Sequence, residues 1–70
     1  ARSEAWQRVR SMFMRIGTDE QRVLQMVVID GMSLRQTARQ LGISAMTVQR
    51  RVKRGLRSLA SQLNEDQAWV

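Results

Sequence analysis

The chain has 70 residues, of which 43% are hydrophobic, with no Pro, Cys or His, so it is long enough for one small domain and too short for two. The absence of Cys and His excludes disulfides, zinc fingers, thiol nucleophiles and imidazole acid–base chemistry, and we expect no catalytic residue, metal or cofactor. The net charge is +6 and no apolar run approaches the roughly 18 residues of a membrane span, so we expect a cytoplasmic protein, not an enzyme, without membrane or small-molecule partners.

The charged residues are segregated along the chain. All six acidic residues lie outside positions 31–64, whereas seven of the 12 basic residues lie inside that interval. A solvated helix face usually mixes acids and bases that pair at i,i+4. An acid-free basic segment of this length therefore indicates a polyanion partner.

The first predicted helix covers residues 3–16 and carries an apolar stripe. Trp6, Val9, Phe13 and Ile16 follow one another at spacings of three and four, which places them on one side of a helix. Trp6 and Phe13 are also residue types that stack on nucleic-acid bases. Their position on the stripe favours packing in the core.

The second predicted helix covers residues 18–30 and begins with a capping box. Thr18 supplies the cap hydroxyl, Gln21 returns to the cap backbone, and Asp19 and Glu20 occupy the first turn, where the helix dipole favours acids. This position explains the two carboxylates better than a catalytic pair does. The apolar block 23–29 predicts a central helix buried on more than one side, which ends at Gly31 in a left-handed cap.

The third and fourth predicted helices cover residues 33–41 and 44–63. Ser33 and Gln36 form a second capping box, Gly42 allows a sharp turn, and Ser44 caps the fourth helix. The inner face of the fourth helix is predicted to carry five apolar side chains, at Val48, Val52, Leu56, Leu59 and Leu63.

Two further features of the fourth segment lead to expectations. Gly55 in a helix costs about 1 kcal/mol relative to Ala, so its presence predicts that another helix passes close by. Residues 64–70 are expected to be a tail beyond a helix end at Asn64, and Trp69 either folds back on the core or contacts a partner.

At the junction of the third and fourth helices, four residues have the spacing that is typical of a helix-turn-helix. Ala38 permits close approach, Gly42 makes the turn, Ile43 anchors it in the core, and Val48 packs back from the second helix. The sequence therefore predicts an all-α fold, a four- to five-helix orthogonal bundle that contains a helix-turn-helix. Residues 1–70 form its single domain. Because the chain begins with Ala1, a processed protein and the C-terminal domain of a longer one both stay open.

The sequence resembles region 4 of bacterial sigma factors, with LuxR-type regulators as relatives. The resemblance runs from about Trp6 to Leu63 and is carried by the motif Gly-x-Ser-x-x-x-x-Ala-x-x-Leu-Gly-Ile-Ser-x-x-Thr-Val, which occupies positions 31–48. It implies double-stranded DNA binding in transcription initiation or regulation, as a sigma region 4 or a sigma-like activator. It also implies docking on RNA polymerase or an anti-sigma factor, with Met14, Met32 and Trp69 as candidate contacts. A third interpretation is the DNA-binding domain of a recombinase.

The family resemblance implies that residues 44–54 enter the major groove, and the helical wheel indicates which side chains face outward. The predicted base contacts are Met46, Gln49, Arg50 and Lys53. Arg reads guanine, Gln reads adenine, and Met46 can contact a thymine methyl or simply face water. Eight other residues are predicted to contact phosphates: Ser33, Arg35, Gln36, Arg39, Ser44, Thr47, Arg51 and Arg54. Arg57 flanks them but lies far along the helix, and Arg51 has a second interpretation, packing across the hairpin.

Overall fold

Four helices make up the fold in the computed structural model, which describes the backbone of residues 2–68 and the side chains of residues 4–65. They are α1 (Arg2–Met14), α2 (Thr18–Leu24), α3 (Leu34–Leu41) and α4 (Ala45–Ala68), and a π-helical segment, Gln25–Ile29, continues α2. Residues 2–68 contain no strand, so the predicted all-α fold class is confirmed. None of these helices is long and apolar enough to span a membrane.

The core forms where α2, α3 and α4 meet. Val23, Ala38 and Val48 are buried at its centre, and half-buried side chains surround them at Val27, Leu34, Leu41, Ile43, Ala45 and Val52. The longest helix, α4, packs against the other three. Its 24 residues extend about 36 Å, which sets the longest dimension of the molecule at 41 Å.

The close approach predicted at Gly55 is confirmed. A Cβ built there would lie 2.7 Å from Leu24 Cδ1 and 3.3 Å from Glu20 Cβ. Gly55 is itself buried. The absence of a side chain in the middle of α4 therefore allows α2 to cross it closely, which brings Val23 of α2 against Val48 of α4.

The cap predicted at the start of α2 is different in the structure. Gly17 is the N-cap residue and no side chain caps the helix there. The Gln21 Nε2 group instead donates to the Ile16 carbonyl at 2.6 Å and the Met14 carbonyl at 3.2 Å. Carbonyl groups at the end of α1 lack partners within their own helix, so Gln21 satisfies these and ties α2 to α1.

The predicted apolar stripe of α1 is partly wrong. Every described side chain from Glu4 to Ser11 is exposed, and Trp6 is 68% exposed, whereas Met12 and Ile16 are buried and Phe13 is half-buried. A hydrogen bond joins α1 to α4 near the end of α1, where Gln62 Nε2 donates to the Met12 carbonyl at 3.0 Å. The N-terminal part of α1 is not covered by another helix, so its apolar side chains stay at the surface.

The expectation of one helix over 18–30, buried on several sides, is also partly wrong. Val23 and Leu24 are buried, but Ile29 is 62% exposed and Val28 is exposed too. The π segment explains the change: the Asp30 N–H donates to the Gln25 carbonyl at 2.9 Å, five residues back. One extra residue per turn rotates the following side chains away from the core. Gly31 then adopts φ +73°, which confirms the predicted left-handed residue.

The end of α4 differs from the prediction at two points. The helix runs through Asn64 to Ala68, because no Gly or Pro interrupts this segment. On the predicted inner face, Val48 is buried and Val52 and Leu59 are half-buried, but Leu56 and Leu63 are exposed. The other helices therefore leave part of the predicted inner face of α4 uncovered. Trp69 lies outside the described residues.

Candidate nucleic-acid interface

The α3–turn–α4 unit has the geometry of a helix-turn-helix. Gly42 ends α3 in the left-handed conformation, with φ +68° and ψ +33°, which L-residues with a Cβ adopt at a cost. The Ile43 N–H donates to the Ala38 carbonyl at 3.1 Å, and Ala38 and Val48 are buried between the two helices. The turn is thus fixed by one glycine, one backbone hydrogen bond and a packed interior.

The N-terminal half of α4 presents one polar face and one buried face. Met46, Gln49, Arg50 and Lys53 are all exposed, whereas Val48 and Gly55 are buried. The exposed positions are spaced i, i+3, i+4 and i+7, so they form one stripe. Lys53 lies seven residues after Met46, which is about 10 Å of helix at 1.5 Å per residue. The length of the stripe suits the major groove, which is about 12 Å wide and accepts an α-helix.

Ser44 and Thr47 form a hydroxyl pair at the start of α4. The Thr47 N–H donates to Ser44 Oγ at 3.1 Å, and the two hydroxyl oxygens are 2.9 Å apart. A hydroxyl has one donor and two acceptor sites. Whichever hydroxyl donates to the other, the pair keeps one O–H for an external acceptor. Capping therefore leaves this helix start able to donate to a phosphate oxygen.

The start of α3 can also donate hydrogen bonds to phosphate oxygens. The predicted capping box is confirmed, because the Gln36 N–H donates to Ser33 Oγ at 3.0 Å and the Ser33 N–H donates to Gln36 Oε1 at 3.1 Å. Both bonds use the acceptor atoms of the side chains. The Ser33 O–H and the Gln36 NH₂ group stay available as donors.

The cationic side chains around the stripe fall into two groups. Arg35, Arg39, Arg54 and Arg57 are exposed. Arg51 is half-buried, and its guanidinium lies 4.0 Å from the Asp19 carboxylate at the start of α2. The second interpretation has Arg51 pack across the α3–α4 hairpin, but this ion pair directs it towards α2. The structure thus places the four base-reading candidates on one exposed face of α4. Arg51 is half-buried and points to Asp19 of α2.

The sequence did not predict an apolar groove between α1 and the π segment. Trp6, Val9, Phe13 and Met14 of α1 face Ile29 of the π segment across a groove of about 370 Å³, with Arg10 and Gln25 as its polar lining. Among the three predicted partner contacts, Met14 lies in this groove, Met32 is half-buried elsewhere beside α3, and Trp69 is not described. The signal in the sequence was the apolar excess of residues 6–29, which exceeds what so small a core can bury.

Comparison with known protein families gives a match to a family model described as "Sigma-70, region 4", over residues 6–59. The matched range covers α1 from Trp6 onward, the whole of α2 and α3, and the part of α4 that carries the exposed stripe. No curated protein matches the chain, and no solved structure matches it.

Proposed function

The chain belongs to the sigma-70 region 4 family, whose members are DNA-binding modules of transcription, and from this premise we propose that it binds double-stranded DNA sequence-specifically in transcription initiation or regulation. Residues 44–54 are the recognition segment and enter the major groove. The family match includes both of the first two helices, which favours a sigma-type module over the domain of a recombinase.

The observation that carries this proposal is the exposed stripe on α4. Its four members project from the first three turns of a helix whose opposite side is locked in the core by Val48. A rigid support is what base readout requires, because bidentate hydrogen bonds lose their discrimination when the donor moves. Arg50 suits guanine and Gln49 suits adenine, each for about 1–3 kcal/mol of discrimination.

The surrounding cations supply affinity without reading sequence. Three exposed cations flank the base readers, namely Arg35, Arg39 and Arg54. If each neutralises one phosphate, the counterion-release rule gives a slope of log affinity against log salt near −2.7. The Ser33, Gln36, Ser44 and Thr47 donors fix the register of the domain on the backbone.

The test begins with selection of a binding site from random duplexes, followed by affinity measurements over a range of salt concentrations. Arg50→Ala with Lys53→Ala should abolish the preference for the selected site. The matched control, Arg15→Ala with Arg22→Ala, removes the same charge from exposed positions outside the interface and should keep the preference. A flat salt response, or selectivity that survives the first pair of substitutions, would contradict the proposal.

A second function, docking on RNA polymerase, is favoured by the apolar groove between α1 and the π segment. Trp6 is 68% exposed and Ile29 62%, and an apolar groove with a polar lining is typical of a protein-binding site. The Arg10 side chain in this groove favours a partner surface that combines apolar and acidic residues. Two copies of this chain would bring their Arg10 side chains together, which disfavours self-association through the groove.

Docking is tested by retention of the domain on purified RNA polymerase without DNA. Trp6→Ala with Ile29→Ala should abolish retention and leave DNA affinity unchanged, whereas Arg50→Ala with Lys53→Ala should do the reverse. Leu63→Ala, at an exposed apolar position on α4, is the control for general loss of apolar surface. Retention that is insensitive to the groove substitutions would overturn the assignment of this surface. If the groove binds an anti-sigma protein and not RNA polymerase, the proposed partner is wrong and the anti-sigma protein takes its place.

A further inference from the structure

Met46 is the one apolar member of an otherwise polar recognition face. It is 66% exposed and lies in the first turn of α4, on the same stripe as Gln49, Arg50 and Lys53. The other apolar residues between positions 32 and 55 are buried or half-buried. A thioether is at best a weak hydrogen-bond acceptor, so Met46 cannot replace the water that hydrates a polar base edge.

The position of Met46 determines what it meets in a complex. The N-terminal residues of a recognition helix contact the base edges most directly, so Met46 loses water when α4 enters the groove. Contact with a polar base edge would leave that edge without a hydrogen-bond partner, which is unfavourable. The apolar group that the major groove offers is the methyl group on C5 of thymine, and methylation of cytosine at C5 creates the same group. Met is unbranched and flexible, so it adapts to such a contact.

We propose that Met46 selects a pyrimidine carrying a C5-methyl group at one end of the base sequence read by α4. This inference rests on the DNA binding proposed above and adds a chemical identity to one position of the site. Met46 and Lys53 are seven residues apart, about 10 Å along the helix. The methylated pyrimidine therefore lies about three base pairs, at about 3.4 Å each, from the pair next to Lys53.

The experiment uses the duplex obtained by selection and replaces each of its thymines in turn with deoxyuridine, which removes only the C5-methyl group. At one position the substitution should weaken binding of the unmodified protein about fourfold, the effect of one lost methyl contact. Met46→Leu keeps an apolar side chain and should retain this sensitivity. Met46→Ala should bind the thymine and deoxyuridine duplexes equally. Circular dichroism checks that both variants fold.

A second arm distinguishes the source of the methyl group. At the sensitive position, cytosine and 5-methylcytosine duplexes are compared. Tighter binding of 5-methylcytosine identifies the methyl group itself as the ligand, and equal binding assigns the preference to thymine alone.

The outcomes separate this proposal from the one on which it rests. If selection enriches no sequence, sequence-specific binding fails and the role of Met46 fails with it. If a site is enriched but deoxyuridine is tolerated at every thymine, or Met46→Ala keeps the full sensitivity, DNA binding stands and the role of Met46 is overturned. A selected site without thymine opposite the first turn of α4 overturns it too.

Discussion

Thr37 is a buried polar residue whose hydroxyl lacks a partner. It is 0% exposed, and its Oγ1 atom accepts and donates no hydrogen bond. A buried hydroxyl without a hydrogen bond costs about 1–3 kcal/mol. Thr37→Val keeps the branched shape and has a similar helix propensity, so we expect the free energy of unfolding to rise by about 1 kcal/mol, measured by urea denaturation.

The control for Thr37 is the same substitution at Thr47, whose hydroxyl is hydrogen-bonded to Ser44. Thr47→Val should not stabilise the protein, because it removes a satisfied group. A Thr37→Val variant that is less stable than the original protein would show that its hydroxyl has a partner in solution.

Gly55 sets two effects of opposite sign against each other. Gly55→Ala gains up to about 1 kcal/mol of helix propensity, but the new Cβ would lie 2.7 Å from Leu24 Cδ1 and 3.2 Å from its Cγ. Leu24 is itself buried, so its side chain has little room to move, and overpacking of this kind costs about 1–3 kcal/mol. We expect a net loss of about 1 kcal/mol in thermal or urea unfolding.

A substitution elsewhere on α4 isolates the propensity effect. Ala60→Gly is at an exposed position and should cost about 1 kcal/mol from propensity alone. A gain in stability from Gly55→Ala would mean that the added Cβ does not clash with Leu24 and that α2 and α4 are farther apart in solution.

Among the elements, the start of α4 combines a helix cap and a proposed phosphate contact in one residue, Ser44. Its Oγ atom accepts the Thr47 N–H, and replacement of such a cap by Ala costs about 1 kcal/mol, whereas replacement by Gly costs a few tenths. Ser44→Ala should therefore lower stability in urea more than Ser44→Gly. Both variants remove the Ser44 hydroxyl, which is itself a predicted phosphate contact, and should weaken DNA binding to a similar degree. DNA affinity that follows the stability ranking would mean that Ser44 acts only as a cap.

The elements also show which parts of the fold are predictable from the sequence. The helix start at Ser33 and the turns at Gly31 and Gly42 were predicted at the right residues, because their hydrogen bonds and dihedral angles depend on neighbours in the chain. The exposed stripe on α4 was predicted for the same reason: helical periodicity is local. The cap predicted at Thr18 was wrong, since Gln21 donates to carbonyl groups near the end of α1 instead. The exposure of Trp6 was not predictable in this way, since it depends on whether a distant helix covers that end of α1.

The π segment is a second feature that helical periodicity in the sequence did not predict. Gln25 Nε2 donates to Asp30 Oδ1 at 3.2 Å, so the first residue of the π segment is joined to the residue that follows it. The periodicity of the sequence does not predict a π segment. Val28 and Ile29, at the end of this segment, are exposed. The apolar groove was therefore not predicted, although its members Trp6, Phe13 and Ile29 are apolar in the sequence.

At the scale of the whole molecule, the recognition stripe and the attachment point of α1 lie at separate parts of α4. The recognition stripe begins at Met46, and the attachment of α1 is at Gln62, 16 residues later, which corresponds to about 24 Å of helix. The groove is carried by α1 and the π segment, not by the recognition hairpin. One domain can therefore hold DNA and a protein partner together, and substitutions in the two surfaces should have additive effects.

The attachment of α1 offers a test of this separation, because it depends in part on one side chain. Gln62 Nε2 donates to the Met12 carbonyl at 3.0 Å, and a hydrogen bond of this kind contributes about 0.5–1.5 kcal/mol. Gln62→Ala should accelerate amide exchange in α1 about two- to tenfold, leave exchange in α3 unchanged, and weaken polymerase retention at constant DNA affinity. Gln7→Ala, at an exposed glutamine of α1, is the matched control and should change none of these. A parallel fall in DNA affinity would show that the recognition helix depends on α1, and the two surfaces would then be coupled through α4.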